Sequence, residues 1–166
     1  EEMSRTDALT GLLNVRNLRD IVTTALRSAQ RRSEPVTAIY IDVNDFKQIN
    51  DTQGHQRGDE ILRIVGSAIK DAARVEDSCI RYGGDEFLIV LPRCTAAEAT
   101  QLANILNEQC QARLGFSLSL GITQSTGQET TEQLIQRADT ALYQAKSQGR
   151  ARALTCSQVM TPCGAG

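Results

Sequence analysis

Residues 81–92 read RYGGDEFLIVLP, and this stretch decides the fold. Gly83-Gly84 divides the approach Cys79–Tyr82 from the unbroken apolar run Phe87–Leu91. Two glycines between such runs predict a β-hairpin whose central positions both take positive φ, which glycine adopts without steric cost. The run after the turn is apolar on both faces, so it reads as a strand covered on both sides. Asp85 and Glu86 are out of place there, because carboxylates are costly to take out of water.

Outward from the hairpin, VTAIYIDV (36–43) is rich in β-branched residues and predicts a second buried strand, ending at Asp42. NDFKQINDTQGHQRGD (44–59) reads as a turn-rich segment. Ile61, Leu62, Ile64, Val65, Ala68 and Ile69 recur at helical spacing and predict a helix over about 60–74. An earlier amphipathic helix is predicted over Asn14–Arg32. Thr95-x-x-Glu98 and Thr130-x-x-Gln133 have the form of capping boxes, each opening a helix, the second ending near Gly149. FSLSLGIT (116–123) alternates strictly and predicts a strand with one wet face, and a short strand follows around 151–155. Without the first helix and the last elements, the order is strand–helix–strand–strand–helix–strand. That is the ferredoxin-like βαββαβ unit, an α+β fold with an antiparallel sheet and helices on one face.

In that unit the first strand is central and pairs with the strand after the hairpin. Asp42, with Asp45 close by, then lies beside Asp85 and Glu86. A single such pair reads as solvated turn residues; two pairs at one sheet edge repel unless a hard cation lies between them. Magnesium held by one or two carboxylates and a nucleotide phosphate fits best, and a second ion about 3.5–4 Å away gives the two-metal arrangement for phosphoryl transfer. An EF-hand is excluded: counting from Asp42, the sixth position is Lys47 rather than glycine and the twelfth is Gln53. No Walker A sequence is present.

The 166 residues are 40% hydrophobic and 23% charged, enough for one domain with a substantial core. A net charge of −2 argues against a nucleic acid polymer or an anionic membrane as partner. The five cysteines show no C-x-x-C pair, and their odd count predicts free thiols in a reducing, cytoplasmic setting. No run approaches the roughly eighteen apolar residues of a membrane span, and no signal peptide is visible. The chain opens on Glu1-Glu2, so residues 1–6 read as the end of an upstream linker or helix, 7–156 as the domain and 157–166 as a loose tail.

The sequence resembles the diguanylate cyclase (GGDEF) domain family, named for the motif at Gly83–Phe87. DALTGLLNVR (7–16), DVNDFKQINDTQGHQRGDEIL (42–62) and ADTALYQAKSQGR (138–150) are similar to its other signatures, in order along the chain. The resemblance implies a palm-like fold, as in nucleotide cyclases, and condensation of two GTP into cyclic di-GMP with release of two pyrophosphates. It implies magnesium as cofactor, two ions per site with manganese as a substitute, held by Asp42, Asp85 and the Val43 carbonyl. Asp85 or its neighbour Glu86 would help deprotonate the attacking 3′-hydroxyl, and Lys47 would stabilise phosphate charge. Gly83 and Gly84 would let the triphosphate approach, Lys146 and Arg150 would grip it, and His55 would lie near it. Asn50 and Asp59 would read guanine; outside the family, Asp59 reads as a helix N-terminal acid.

Arg74-x-x-Asp77 matches the family's inhibitory product site. Val15 and Ala151 depart from the usual pattern without touching a proposed metal or guanine contact. Each chain holds one GTP, so the resemblance implies a homodimer, with an upstream sensory domain that could carry a membrane anchor. The alternative is a catalytically silent module that binds cyclic di-GMP or GTP.

Overall fold

The computed structural model describes residues 4–148 and 153–155. In chain order it contains β1 (Leu13–Asn14), a 3₁₀ turn (Val15–Asn17), α1 (Leu18–Arg32), β2 (Val36–Val43), α2 (Phe46–Gln53) and α3 (His55–Ala72). These are followed by β3 (Ser78–Arg81), β4 (Glu86–Pro92), α4 (Ala96–Leu114), β5 (Leu118–Gln124), α5 (Thr131–Ser147) and β6 (Ala153–Thr155). The sheet runs β1-β3-β4-β2-β5-β6. Its centre is antiparallel, as the βαββαβ order requires. The outer pairs, β1 with β3 and β5 with β6, are parallel, so the sheet as a whole is mixed.

β2 is buried along its whole length, and its alternation divides the core into two layers. Ile39, Ile41 and Val43 pack with Val65 and Ile69 of α3 and Ala103 and Leu106 of α4. Ala38 and Tyr40 face the other way, against Val22 of α1 and Leu134, Ala138 and Leu142 of α5. The two helices of the βαββαβ unit therefore do share one face, while α1 and α5 cover the other. Each fully buried Ile or Leu contributes about 1.5–3 kcal/mol, which makes this central strand the main anchor of the domain. Asp42 lies on the α1/α5 side by the same two-residue period.

Three sequence expectations are corrected. The turn-rich segment 44–59 is mostly helical, because Phe46 and Ile49 on α2 reach the core, and Gly54 at φ 87° breaks the chain between α2 and α3. β5 has no wet face: Ser119 and Thr123 are fully buried, and Gly121 lets α5 lie directly on the strand. In the hairpin, Gly83 and Gly84 are not among the residues with positive φ. Residues 82–85 form a longer connection in which the N–H groups of Tyr82 and Gly83 both donate to the Glu86 carbonyl. A Cβ on Gly83 would come within 2.7 Å of Glu86 Oε2, the end of a side chain free to rotate, so neither backbone handedness nor a backbone clash requires glycine there.

Both capping boxes form, at Thr95–Glu98 and Thr130–Gln133. Cys79, Cys94 and Cys110 are free thiols. Among the described residues no helix is long and apolar enough to cross a membrane. Arg150 and the tail expected over 157–166 lie outside the described residues.

Candidate active site

The antiparallel register of β2 and β4 sets Asp42 opposite Glu86. The Val43 N–H donates to the Asp85 carbonyl at 3.2 Å, so the acids at the end of β2 and at the turn are brought together. Asp42 is buried, yet among the described residues its Oδ1 has no hydrogen-bond partner, while its Oδ2 accepts from Lys146 Nζ on α5. Burial, then the neighbouring Asp42 carboxyl, pushes the Asp85 carboxyl up to about 6. The Glu86 carboxyl is also raised, by burial first and by Asp42 next, with Lys146 opposing. Such a pair carries more negative charge than its surroundings satisfy.

Asp45 stands apart from this cluster in role. It takes a left-handed conformation, φ 57°, in the exposed turn that opens α2, a conformation that aspartate tolerates better than most residues. Asn44 fixes the same turn from inside: its amide donates to Ser117 Oγ at 2.8 Å and accepts from Ser119 Oγ at 2.7 Å. Lys47 lies in the first turn of α2 and His55 opens α3, both exposed. Asn50 of α2 presses on Gly58 of α3, where an added Cβ would meet its Oδ1 at 1.9 Å. That oxygen is buried and has no partner among the described residues, and Gly58 is followed in the chain by the exposed Asp59.

Arg74 and Asp77 lie at the far end of α3 and close on each other. Arg74 N donates to Asp77 Oδ2 at 2.8 Å, and its guanidinium donates to Asp77 Oδ1 at 2.8 Å and to the Pro92 carbonyl at 2.7 Å. The Asp77 side chain is 1% exposed and that of Arg74 is 42% exposed, so only the arginine presents itself to solvent.

Sequence reasoning missed two neighbours of the acids. Tyr40, two residues before Asp42 and so on its face, stacks edge-on with Tyr82 and contacts Glu86; burial, then Glu86, holds its phenol well above its ordinary pKa. The period-two alternation of VTAIYIDV carried that signal. Arg81 is the other, and its partners include Asp7 and the two turn glycines.

Among the described residues, no three His, Cys, Asp or Glu side chains converge into a closed metal cage. Two carboxylates with an orphaned buried oxygen nevertheless suit magnesium, which is commonly held by one or two carboxylates while phosphates and water complete its shell.

A central antiparallel sheet with acids at the end of its middle strand and in the adjacent hairpin is the palm-like α+β arrangement expected from the sequence. The model of the diguanylate cyclase, GGDEF domain family matches residues 4–152, and the chain belongs to that family. The diguanylate cyclase DosC of Escherichia coli is 42% identical over 165 residues, covering 92% of this chain and 36% of that protein. The response regulator PleD of Caulobacter vibrioides is 35% identical over 160 residues, covering 90% of this chain and 35% of PleD. The chain thus spans little more than a third of these relatives. The crystal structure of the GGDEF domain of DgcB from Caulobacter crescentus in complex with c-di-GMP superposes with a TM-score of 0.90 at 28% identity, covering 95% of this chain and 96% of that one.

Proposed function

We propose that this chain is a diguanylate cyclase that joins two GTP molecules into cyclic di-GMP, working as a homodimer in which each subunit presents one GTP to the other. The observation that carries this reading is the juxtaposition of Asp42 and Asp85 beside the glycine turn, with a buried Asp42 oxygen that has no partner among the described residues. In each of the two steps a 3′-oxygen bonds to the partner's α-phosphorus, the bond to pyrophosphate breaks, and the hydroxyl proton passes to a carboxylate. Asp85 is the acceptor in this reading, with Glu86 beside it. Asp42, Asp85 and the Val43 carbonyl would hold magnesium, which when bound lowers the pKa of the attacking hydroxyl and offsets phosphate charge.

The chain's own groups supply the rest. A Cβ on Gly84 would meet nothing within 4 Å, which leaves room for a phosphate chain against the turn. Lys47 and Lys146 provide positive charge for it, Lys146 by exchanging its Asp42 partner. Asn50 and Asp59 suit guanine, whose N1–H and N2 amine donate together; adenine offers an acceptor at N1 and no N2 amine. Asp59→Ser is expected to narrow the preference for GTP over ATP by at least about tenfold, because the carboxylate no longer discriminates the two edges. Competition binding with the two nucleotides checks this, and an unchanged preference refutes the assignment.

Arg74 and Asp77 are proposed as a site for the product. Arginine pairs with phosphate and stacks on guanine, and the complex of the DgcB GGDEF domain with c-di-GMP supports ligand binding in this family. Incubating the chain with GTP and magnesium and resolving the products by chromatography tests the main reading. Cyclic di-GMP and pyrophosphate should appear, at a rate that rises faster than protein concentration if dimerisation limits it. GTP binding without product would sink the cyclase reading.

A further inference from the structure

We propose that Arg81 is a positioning residue that ties the N-terminal turn, through Asp7, to the backbone of Gly83 and Gly84, and so aims the peptide N–H groups of Gly84 and Asp85 toward the bound triphosphate. Four observed hydrogen bonds carry this. Arg81 Nη1 donates to both Asp7 carboxylate oxygens, at 3.0 and 3.2 Å. Its Nε donates to the Gly83 carbonyl at 3.2 Å, and its Nη2 to the Gly84 carbonyl at 2.8 Å. A guanidinium offers five N–H donors in a rigid plane, so one side chain can hold three acceptors in fixed relation.

The consequence follows from peptide geometry. A trans peptide is planar, with its C=O and N–H pointing in opposite directions. Drawing the Gly83 carbonyl toward Arg81 turns the Gly84 N–H the other way, and drawing the Gly84 carbonyl does the same for the Asp85 N–H. Two successive N–H groups presented together form an anion-binding concavity. The turn's own bonds, from the Tyr82 and Gly83 N–H groups to the Glu86 carbonyl, do not engage the Gly83 and Gly84 carbonyls, and Arg81 adds that constraint.

The other end of the link is firmly set. Asp7 Oδ2 accepts from the N–H and hydroxyl of Thr10, at 2.8 and 2.7 Å, and the Asp7 N–H donates to the Leu12 carbonyl. Thr10 in turn packs on Gly66 of α3, where a Cβ would come within 2.9 Å of the Thr10 Cβ. Arg81 itself is fixed by pairing with Asn14 of β1 on one side and Phe87 of β4 on the other. Side-chain exposures of 18% for Arg81 and 21% for Asp7 leave the pair mostly shielded. Displacement of residues 5–12 by anything attached ahead of them would thus be felt at the turn.

This inference rests on the cyclase reading and is tested separately from it. Arg81→Lys keeps the charge beside Asp7 but replaces a rigid fork by one nitrogen, which cannot hold the carboxylate and both carbonyls. Charge builds on the departing pyrophosphate in the transition state, so the rate at saturating GTP should fall by about tenfold or more, with a smaller rise in KM. Asp7→Asn keeps the shape and loses the charge, and should lower the rate by about threefold. Melting temperature and cyclic di-GMP affinity, measured on the same proteins, should stay near the parent values. A purely structural role predicts instead that rate, melting temperature and product affinity fall together, and that outcome overturns the proposal. A parental rate in Arg81→Lys also overturns it while leaving the cyclase reading intact. If the parent chain binds GTP without forming product, the cyclase reading fails, and GTP affinity decides: a tenfold loss in Arg81→Lys upholds the positioning role, and no loss ends it. A parent chain that does not bind GTP ends both.

Discussion

Asp85→Ala is expected to lower cyclic di-GMP formation by about three orders of magnitude while the domain stays folded. Asp85 is where the proposed ion site and the proposed proton acceptor coincide, so one truncation removes both. Its folded environment favours the charged form only through a backbone hydrogen bond, which burial and Asp42 outweigh. Burial and the adjacent Asp42 both disfavour its charged form, so at neutral pH the carboxylate works against the fold. The variant should therefore melt no lower than the parent, and relief of repulsion can raise its melting temperature. Turnover and thermal melting measured together check this. A variant that keeps a tenth or more of the parental rate contradicts the role given to Asp85, and one that loses turnover only by unfolding leaves the charge argument wrong.

The second large effect is on stability. Gly121 of β5 faces α5, and a Cβ there would lie 2.3 Å from the Leu142 nitrogen, 2.4 Å from the Ala138 carbonyl oxygen and 2.8 Å from the Leu142 Cα. All three are backbone atoms, so no side chain can rotate away; the helix has to lift off the strand. Gly121→Ala is expected to cost about 3 kcal/mol, at the upper end of overpacking penalties, and to lower the melting temperature by about 10 °C. Lys146 rides on the same helix and pairs with Asp42, so turnover should fall as well. Differential scanning calorimetry decides the point: a loss below about 1 kcal/mol means that α5 does not lie this close to β5.

Much of this arrangement was legible in the residues. The bounds of β2 follow from its β-branched run, and both capping boxes from residue identity three apart. The nearness of Asp42 to Asp85 follows from strand order alone. What escaped was governed by contacts between distant segments. Residues 44–59 carry the Asn, Asp and Gly of a loop, and only burial of Phe46 and Ile49 turns most of them into helix. Ser119, Gly121 and Thr123 look like a solvent face because small polar residues serve equally where a helix must come close. Arg81 reads as an ordinary strand residue until Asp7, 74 positions earlier, is seen beside it.

The outermost strand on one side of the sheet, β1, is two residues long, and Asn14 at its end turns its side chain onto the Arg16 N–H. So short a rim gives an incoming polypeptide almost no free amides or carbonyls with which to extend the ladder. If two copies come together as the proposed chemistry requires, they have to meet there through side chains and loops rather than by edge-to-edge zipping. A shared sheet continuing across β1 from one copy to the next is thus the one mode of association that this border disfavours.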